Sequence, residues 1–192
     1  MIKAYYFEFF NGFNPCLSPG LVQPSEPRVG ESLYTFGMFN HEPKNYKCPL
    51  CIVAKGGETE LNKRTDIVYT DNEVTAYISP KWWVNNPGNV MVIPRHHFEN
   101  VFDIPDDLLC KVELLGKKVA LGMKETYRCD GVSFRQHNEP AGGQDVWHFH
   151  LHVFPRWKDD DLYTNHKNTR YTTSEEKISY AQKLKDYFEN KS

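Results

Sequence analysis

The chain has 192 residues, 40% of them hydrophobic and 14% aromatic, which is enough to bury one core but not two. Its 23 basic and 25 acidic residues leave a formal net charge of −2, so it lacks the basic footprint that grips a nucleic-acid backbone; a nucleotide ligand would be small, not polymeric. No stretch reaches the roughly 18 to 20 apolar residues of a membrane-spanning helix. The five cysteines, Cys16, Cys48, Cys51, Cys110 and Cys129, are odd in number and not spaced as a disulfide framework. Together these features predict a soluble protein of a reducing compartment, the cytoplasm.

Residues 1–37 read as an extension. "AYYFEFFNGF" is aromatic, and Pro15, Pro19, Pro24 and Pro27 interrupt any regular element. The compact domain is expected to span residues 38–192. "DIVYT" and "VTAYIS", on either side of "DNE", predict a hairpin, and "VMVIP" a short buried strand ended by a proline. Leu108, Val112, Leu115, Val119 and Met123 recur at helical spacing, and Asp106 and Asp107 suit the positive end of that helix. "GVSFRQH" and "VWHFHLHVFPR" (146–156) predict two further strands, joined by the loop "NEPAGGQD". "SEEKISYAQKLKDYF" predicts a last helix that buries Ile178, Ala181, Leu184 and Phe188. Strands in hairpins with two main helices set apart from them predict an α+β fold with an antiparallel sheet.

The strand over 146–156 carries the chemistry. Alternate residues of a strand share a face, so His148, His150 and His152 form a row with neighbours roughly 6 to 7 Å apart. Phe149, Leu151 and Val153 supply the burial on the other face. Imidazole has no special strand propensity, so three in a row imply a purpose. Neutral imidazole is a zinc ligand, and it is also a nucleophile toward phosphorus, and the row alone supports both readings.

"KCPLC" places Cys48 and Cys51 two residues apart, the bite of half a tetrahedral thiolate site. A redox pair is the rival reading, but it requires a strand leading into a helix, which "HEPKNY" does not predict. Two more metal ligands are then needed, and His96 or His97 and the histidine row are the candidates. Cys110 and Cys129, in and just after the first long helix, read as core residues. In the loop, Gly142 and Gly143 allow backbone N–H groups close to an anion, and Asn138 and Gln144 offer amides to phosphate or ribose, although turn geometry alone also selects glycines.

"NEPAGGQDVWHFHLHVFPR" closely resembles the histidine triad (HIT) superfamily, whose signature His-φ-His-φ-His-φ-φ, with φ apolar, is met from His148 to Phe154. "VMVIPRHH" resembles the strand and Pro-x-x-His element of that family, met by Pro94 and His97. The resemblance covers roughly residues 45 to 157. It implies a homodimeric α+β fold acting on nucleotides, with His150 attacking the α-phosphorus to form a covalent nucleotidyl-histidine, His152 bonding phosphate oxygens, and Asn138 at the phosphate or ribose. The cysteine pair resembles the zinc-bearing branch of the superfamily, which implies a closed structural Zn2+ site made of Cys48, Cys51, His97 and His148. His148 would then hold metal while His150 performs chemistry beside it.

The chain also departs from the family pattern. Many histidine triad hydrolases have serine or threonine after the Gly-Gln pair, where Asp145 follows Gly143 and Gln144 here. Asp145 is a candidate proton donor, an orienter of His152, or a loop cap. For the ribose, Ser79, Asn85 and Asn86 are candidate polar contacts, and Trp82 or Trp83 a base-stacking surface or a packing pair. Uridylyltransferases of the superfamily are longer and commonly read His-Pro-His, so the implied activity is hydrolysis of a dinucleoside polyphosphate or a nucleoside phosphoramidate. Nucleotidyl transfer, or nucleotide binding without turnover, are the alternatives. Arg156, Lys158 and Arg170 are candidate contacts for a longer phosphate chain, or simply members of a solvated loop.

Overall fold

Five antiparallel strands make the central sheet of the computed structural model, which describes residues 39–191 apart from His166. The extension expected over residues 1–37 lies outside the described residues. In chain order, a short helix α1 (Pro49–Ala54) precedes the hairpin β1 (Ile67–Thr70) and β2 (Val74–Ile78). Strands β3 (Lys81–Trp83) and β4 (Val90–Pro94) follow, then the long helix α2 (Asp106–Thr126) and β5 (Gly131–Gln136). β6 (Leu151–Arg156), β7 (Thr169–Tyr171) and helix α3 (Ser174–Asn190) complete the chain. The sheet order is β1-β2-β4-β6-β5, and β3 pairs with β7 in a separate ribbon.

The two faces of the sheet are packed differently, as the alternation of side chains requires. Ala76, Ile78, Val90, Val92, Leu151 and Val153 face the core built with Leu108, Val112, Leu115, Val119 and Met123 of α2 and with Ala181 and Leu184 of α3. Tyr77, Met91 and Ile93 face the other way, against Leu50, Val53 and Ala54 of α1. Gly116 is where α2 comes closest to the sheet: a Cβ there would meet Leu151 at 2.9 Å and Phe134 at 3.3 Å. The α+β reading holds, and the hairpin, the fourth strand and both long helices form where the residue patterns place them.

Three elements differ from expectation. The histidine strand begins only at Leu151, opposite Gln136 where β5 ends, and the Phe149 N–H turns to the Phe98 carbonyl at 2.6 Å. His148 and His150 therefore sit in the irregular entry to β6, and only His152 lies in the ladder. The β3–β7 ribbon was not anticipated, since three-residue strands carry no measurable alternation. Helix α3 buries Lys177 in place of Ile178, which is 49% exposed.

Lys177 is buried because its Nζ meets Asp66 Oδ2 at 2.5 Å and the Leu61 carbonyl at 2.7 Å, with both charged side chains 1% exposed. This pair fastens α3 to the segment entering β1. Lys177→Met would strand a buried carboxylate, so it is expected to cost about 3 to 5 kcal/mol of stability, and adding Asp66→Asn should return part of it. Urea unfolding of the two variants checks this; a single variant as stable as the parent would show the pair to be dispensable.

Candidate functional site

His148, His150 and His152 are each held by a different set of atoms. His148 is fully buried, and its Nε2 donates to the Pro94 carbonyl at 3.0 Å. The Nδ1 lone pair is thereby turned toward Cys48 Sγ at 3.4 Å and Cys51 Sγ at 3.5 Å. His97 repeats the arrangement: Nε2 bonds Glu42 Oε2 at 3.0 Å, and Nδ1 faces Cys51 Sγ at 3.3 Å. Cys48 caps α1, its Sγ accepting the Cys51 N–H at 3.4 Å, so the cysteine pair bends round the start of a helical turn.

The ligand atoms of Cys48, Cys51, His97 and His148 all lie within 4.8 Å of one another. A tetrahedral zinc ion with its usual bond lengths separates sulfur and nitrogen ligands by about 3.3 to 3.8 Å, and the sulfur–nitrogen distances of 3.3 to 3.5 Å match. The histidines also present what metal-bound imidazoles require, a carbonyl or carboxylate on the second ring nitrogen. Burial pushes the Cys48 thiol up to about 12 and His148 down to about 4, so without a cation Cys48 is a neutral thiol against the neutral His148 imidazole. The donor set fits zinc.

Glu42 and Glu99 were missed in the sequence. Buried Glu99 accepts the backbone N–H groups of His41 at 2.5 Å and Glu42 at 3.0 Å, which sets Glu42 beside His97. Nothing local signals a contact across 57 residues.

His150 is buried, and its Nδ1 lies 2.7 Å from the His148 carbonyl. A carbonyl only accepts, so Nδ1 carries the proton and Nε2 carries the lone pair. Burial holds the His150 pKa below the ordinary histidine value, which keeps the ring neutral. His150 and His152 are neighbours, with ring centroids 4.9 Å apart. His152 is pushed well down by burial first, then by His150, His137, Arg135 and Lys81.

Both rings line a cavity of about 340 Å³, within the range of small-molecule sites. Its apolar wall includes Leu50, Leu61, Tyr77, Pro80, Met91 and Val146, and its polar residues include Ser79, Lys81, Arg135, His137 and Asp145. Gly143 lines it as well, with φ +86°, a conformation that disfavours side chains, and a Cβ there would press on His137 Nδ1 at 3.0 Å. Asp145 is exposed at the cavity, and its charge acts on His150 in the direction that favours protonation.

The other amides are engaged elsewhere. Gln144 is buried, accepting the Glu139 N–H at 2.8 Å and donating to the Glu99 carbonyl at 2.6 Å, so it straps the loop shut. Asn138 accepts the Val101 N–H at 2.8 Å and exchanges two amide bonds with Gln136. Asn86 is fully buried and donates to Asp160 Oδ2 at 2.6 Å and the Pro155 carbonyl at 2.9 Å, while Asn85 donates to the Asp160 carbonyl at 3.3 Å. None of these four lines the cavity. Ser79 does, although its hydroxyl donates to the Lys81 carbonyl at 3.2 Å. The tryptophans divide: Trp82 packs edge-on against Tyr180 in the core, and Trp83 lines the cavity, edge-on to Phe154.

An antiparallel α+β sheet bearing this histidine run against a small-molecule cavity is the arrangement of the histidine triad class. The HIT domain model matches residues 60–159, and the chain belongs to that family. His97 and His148 fall inside the matched span, whereas Cys48, Cys51 and Glu42 precede it. A HIT-like protein of Saccharolobus solfataricus is 27% identical over 136 residues, covering 71% of this chain and 93% of its own. A zinc-bound histidine triad family protein of Mycobacterium smegmatis shares the fold at a TM-score of 0.62 and 21% identity, over 75% of this chain and 94% of that one. A Plasmodium falciparum diadenosine triphosphate hydrolase does so at 0.58 and 16%, over 74% and 97%. Among the described residues no helix is long and apolar enough to cross a membrane.

Proposed function

We propose that this protein is a nucleotide hydrolase that cleaves at the α-phosphate through a covalent nucleotidyl-His150. The observation that carries the reading is the His148 carbonyl at 2.7 Å from His150 Nδ1, which leaves a neutral Nε2 free for attack at the cavity. Nε2 bonds the α-phosphorus as the bond from phosphorus to the leaving oxygen or nitrogen breaks. Water then attacks the same phosphorus, the P–N bond breaks, and the imidazole lone pair returns. His152 is assigned to the phosphate oxygens. Asp145, exposed at the cavity, is assigned the proton that the leaving group needs or the water gives up. Gly143 brings the loop backbone to the cavity without a side chain, its own N–H held by the Pro140 carbonyl at 3.1 Å, and the apolar wall takes the base.

Asn138 and Gln144 contribute to binding in this reading by holding the loop, and Asn85 and Asn86 by holding the Asp160 turn next to the ribbon. Cys48, Cys51, His97 and His148 are proposed to hold a structural zinc ion, closed by four protein ligands; when bound it converts the thiols to thiolates and ties the α1 turn to the entry of the histidine segment. Cys48 and Cys51 carry free thiols suited to a metal. We further propose that residues 38–192 act as the HIT domain with 1–37 as its extension, and that it works as a homodimer. β5 closes the sheet with an unpaired edge among the described residues and exposes Phe134, which supports the latter.

The test is a substrate panel read by product identity. Diadenosine tetraphosphate and an adenosine phosphoramidate should each release a nucleoside monophosphate, with oxygen from labelled water on the phosphorus. Product formed only when a phosphorylated acceptor is added would make the protein a transferase, and no turnover of any nucleotide would leave a binding module.

A further inference from the structure

We propose that Lys81 and Arg135 form an anion subsite at the ribbon end of the cavity, which receives the phosphate chain on the leaving side of the substrate. In naming that chain the inference rests on the hydrolase reading. It makes polyphosphates the preferred substrate class over phosphoramidates, whose leaving group carries no phosphate.

Arg135 stands opposite His152 in the β5–β6 register, and paired residues of an antiparallel ladder share a face. Its guanidinium carbon lies 5.4 Å from the Trp83 ring centroid and 5.5 Å from that of Phe154. These aromatic walls hold the guanidinium in place without neutralising it. Nη1 of Arg135 is buried with no hydrogen-bond partner among the described residues, and no carboxylate pairs with the side chain. Desolvating a cation without a partner is costly, so the arrangement calls for an anion. Lys81, on β3 of the ribbon, lines the same cavity and forms no ion pair among the described residues. Asp145 is the single acidic residue of the described lining, so the wall around His152 carries net positive charge.

Two of the three basic residues that the sequence offers for this purpose are committed elsewhere. Arg156 holds Asp160 at 2.6 Å and Arg170 holds Glu176 at 2.6 Å. Arg135 differs in being stacked, half-buried and unpaired, which is how a planar guanidinium is kept ready for phosphate oxygens.

Titration of the full chain with inorganic tripolyphosphate, followed by calorimetry at low and high salt, tests the subsite apart from turnover. The parent should bind, more weakly at high salt, and Lys81→Met and Arg135→Met should each weaken binding by about tenfold or more. Arg135→Lys keeps the charge and should lose less than Arg135→Met. The ratio of kcat/KM for diadenosine tetraphosphate to that for an adenosine phosphoramidate should fall by about tenfold in either methionine variant. Absence of tripolyphosphate binding by the parent, equal binding by parent and methionine variants, or equal losses in Arg135→Lys and Arg135→Met would each overturn the subsite. If no nucleotide is turned over while tripolyphosphate still separates parent from variants, the subsite stands and the hydrolase reading falls.

Discussion

His150→Ala is expected to reduce kcat/KM for any nucleotide the protein cleaves by a factor on the order of 10⁴ or more, while the folded protein still binds nucleotide. The size follows from the role: losing the only covalent route to the product removes a mechanism, whereas losing a binding contact removes a fraction of the affinity. The Nδ1–H of His150 meets a backbone carbonyl, so the mutation deletes one hydrogen bond to His148 and leaves no buried charge behind. Stability should therefore change far less than rate. Mass spectrometry of the parent quenched during turnover should find one nucleotidyl group on His150 and none in the variant. Turnover by His150→Ala equal to that of the parent would remove His150 from the mechanism.

The second large effect is on stability. Removing zinc by chelation, or replacing Cys48 by serine, is expected to cost about 3 kcal/mol or more, lowering Tm by roughly 6 to 12 °C for a chain of this size. Cys48 and His148 are buried at the junction of α1 with the sheet, 100 residues apart in the chain, so the metal would reinforce a junction otherwise held by the packing of Leu50, Val53 and Ala54 on Tyr77, Met91 and Ile93 and by the Arg95 bond to the Ala54 carbonyl. Metal analysis should return one zinc per chain. A zinc-free preparation that melts where the parent melts, with Cys48 and Cys51 freely alkylated, would overturn the four-ligand site. Glu42→Gln gives a graded check: it keeps the hydrogen bond to His97 in one orientation but removes the carboxylate charge, so metal affinity should fall by about 10-fold or more while the metal still binds.

Much of the molecule was legible because the relevant physics is local. Apolar residues at helical spacing produced α2 with the expected buried stripe, and "VMVIP" produced a strand with every residue buried. The alternation of His148, His150 and His152 with Phe149, Leu151 and Val153 showed which side chains could face a site. The Cys-x-x-C bite showed where half a metal site would sit, and the four residues that the family resemblance implied are ones whose ligand atoms the fold brings within 4.8 Å.

Which hydrogen bond or charge each polar residue receives was set by the folded chain, because those partners come from distant segments. The His148 ring is oriented by the Pro94 carbonyl, and His97 by Glu42, which Glu99 holds in place. Four amides that looked available to a nucleotide, Asn85, Asn86, Asn138 and Gln144, spend their bonds on the backbone, on the Asp160 carboxylate and on Gln136, all supplied by the fold around them. Lys177 displaced Ile178 from the core because Asp66 was waiting for it from another element. Arg135 passed as an ordinary strand residue until the ribbon placed Trp83 beside it and no carboxylate opposite it. Spacing along the chain determined the histidine row and most of the element types, and the resemblance to the zinc-bearing branch supplied the candidate ligand set Cys48, Cys51, His97 and His148. Proton positions, amide commitments and unpaired charge at the cavity depend on contacts across the sheet, and there the fold alone had the information.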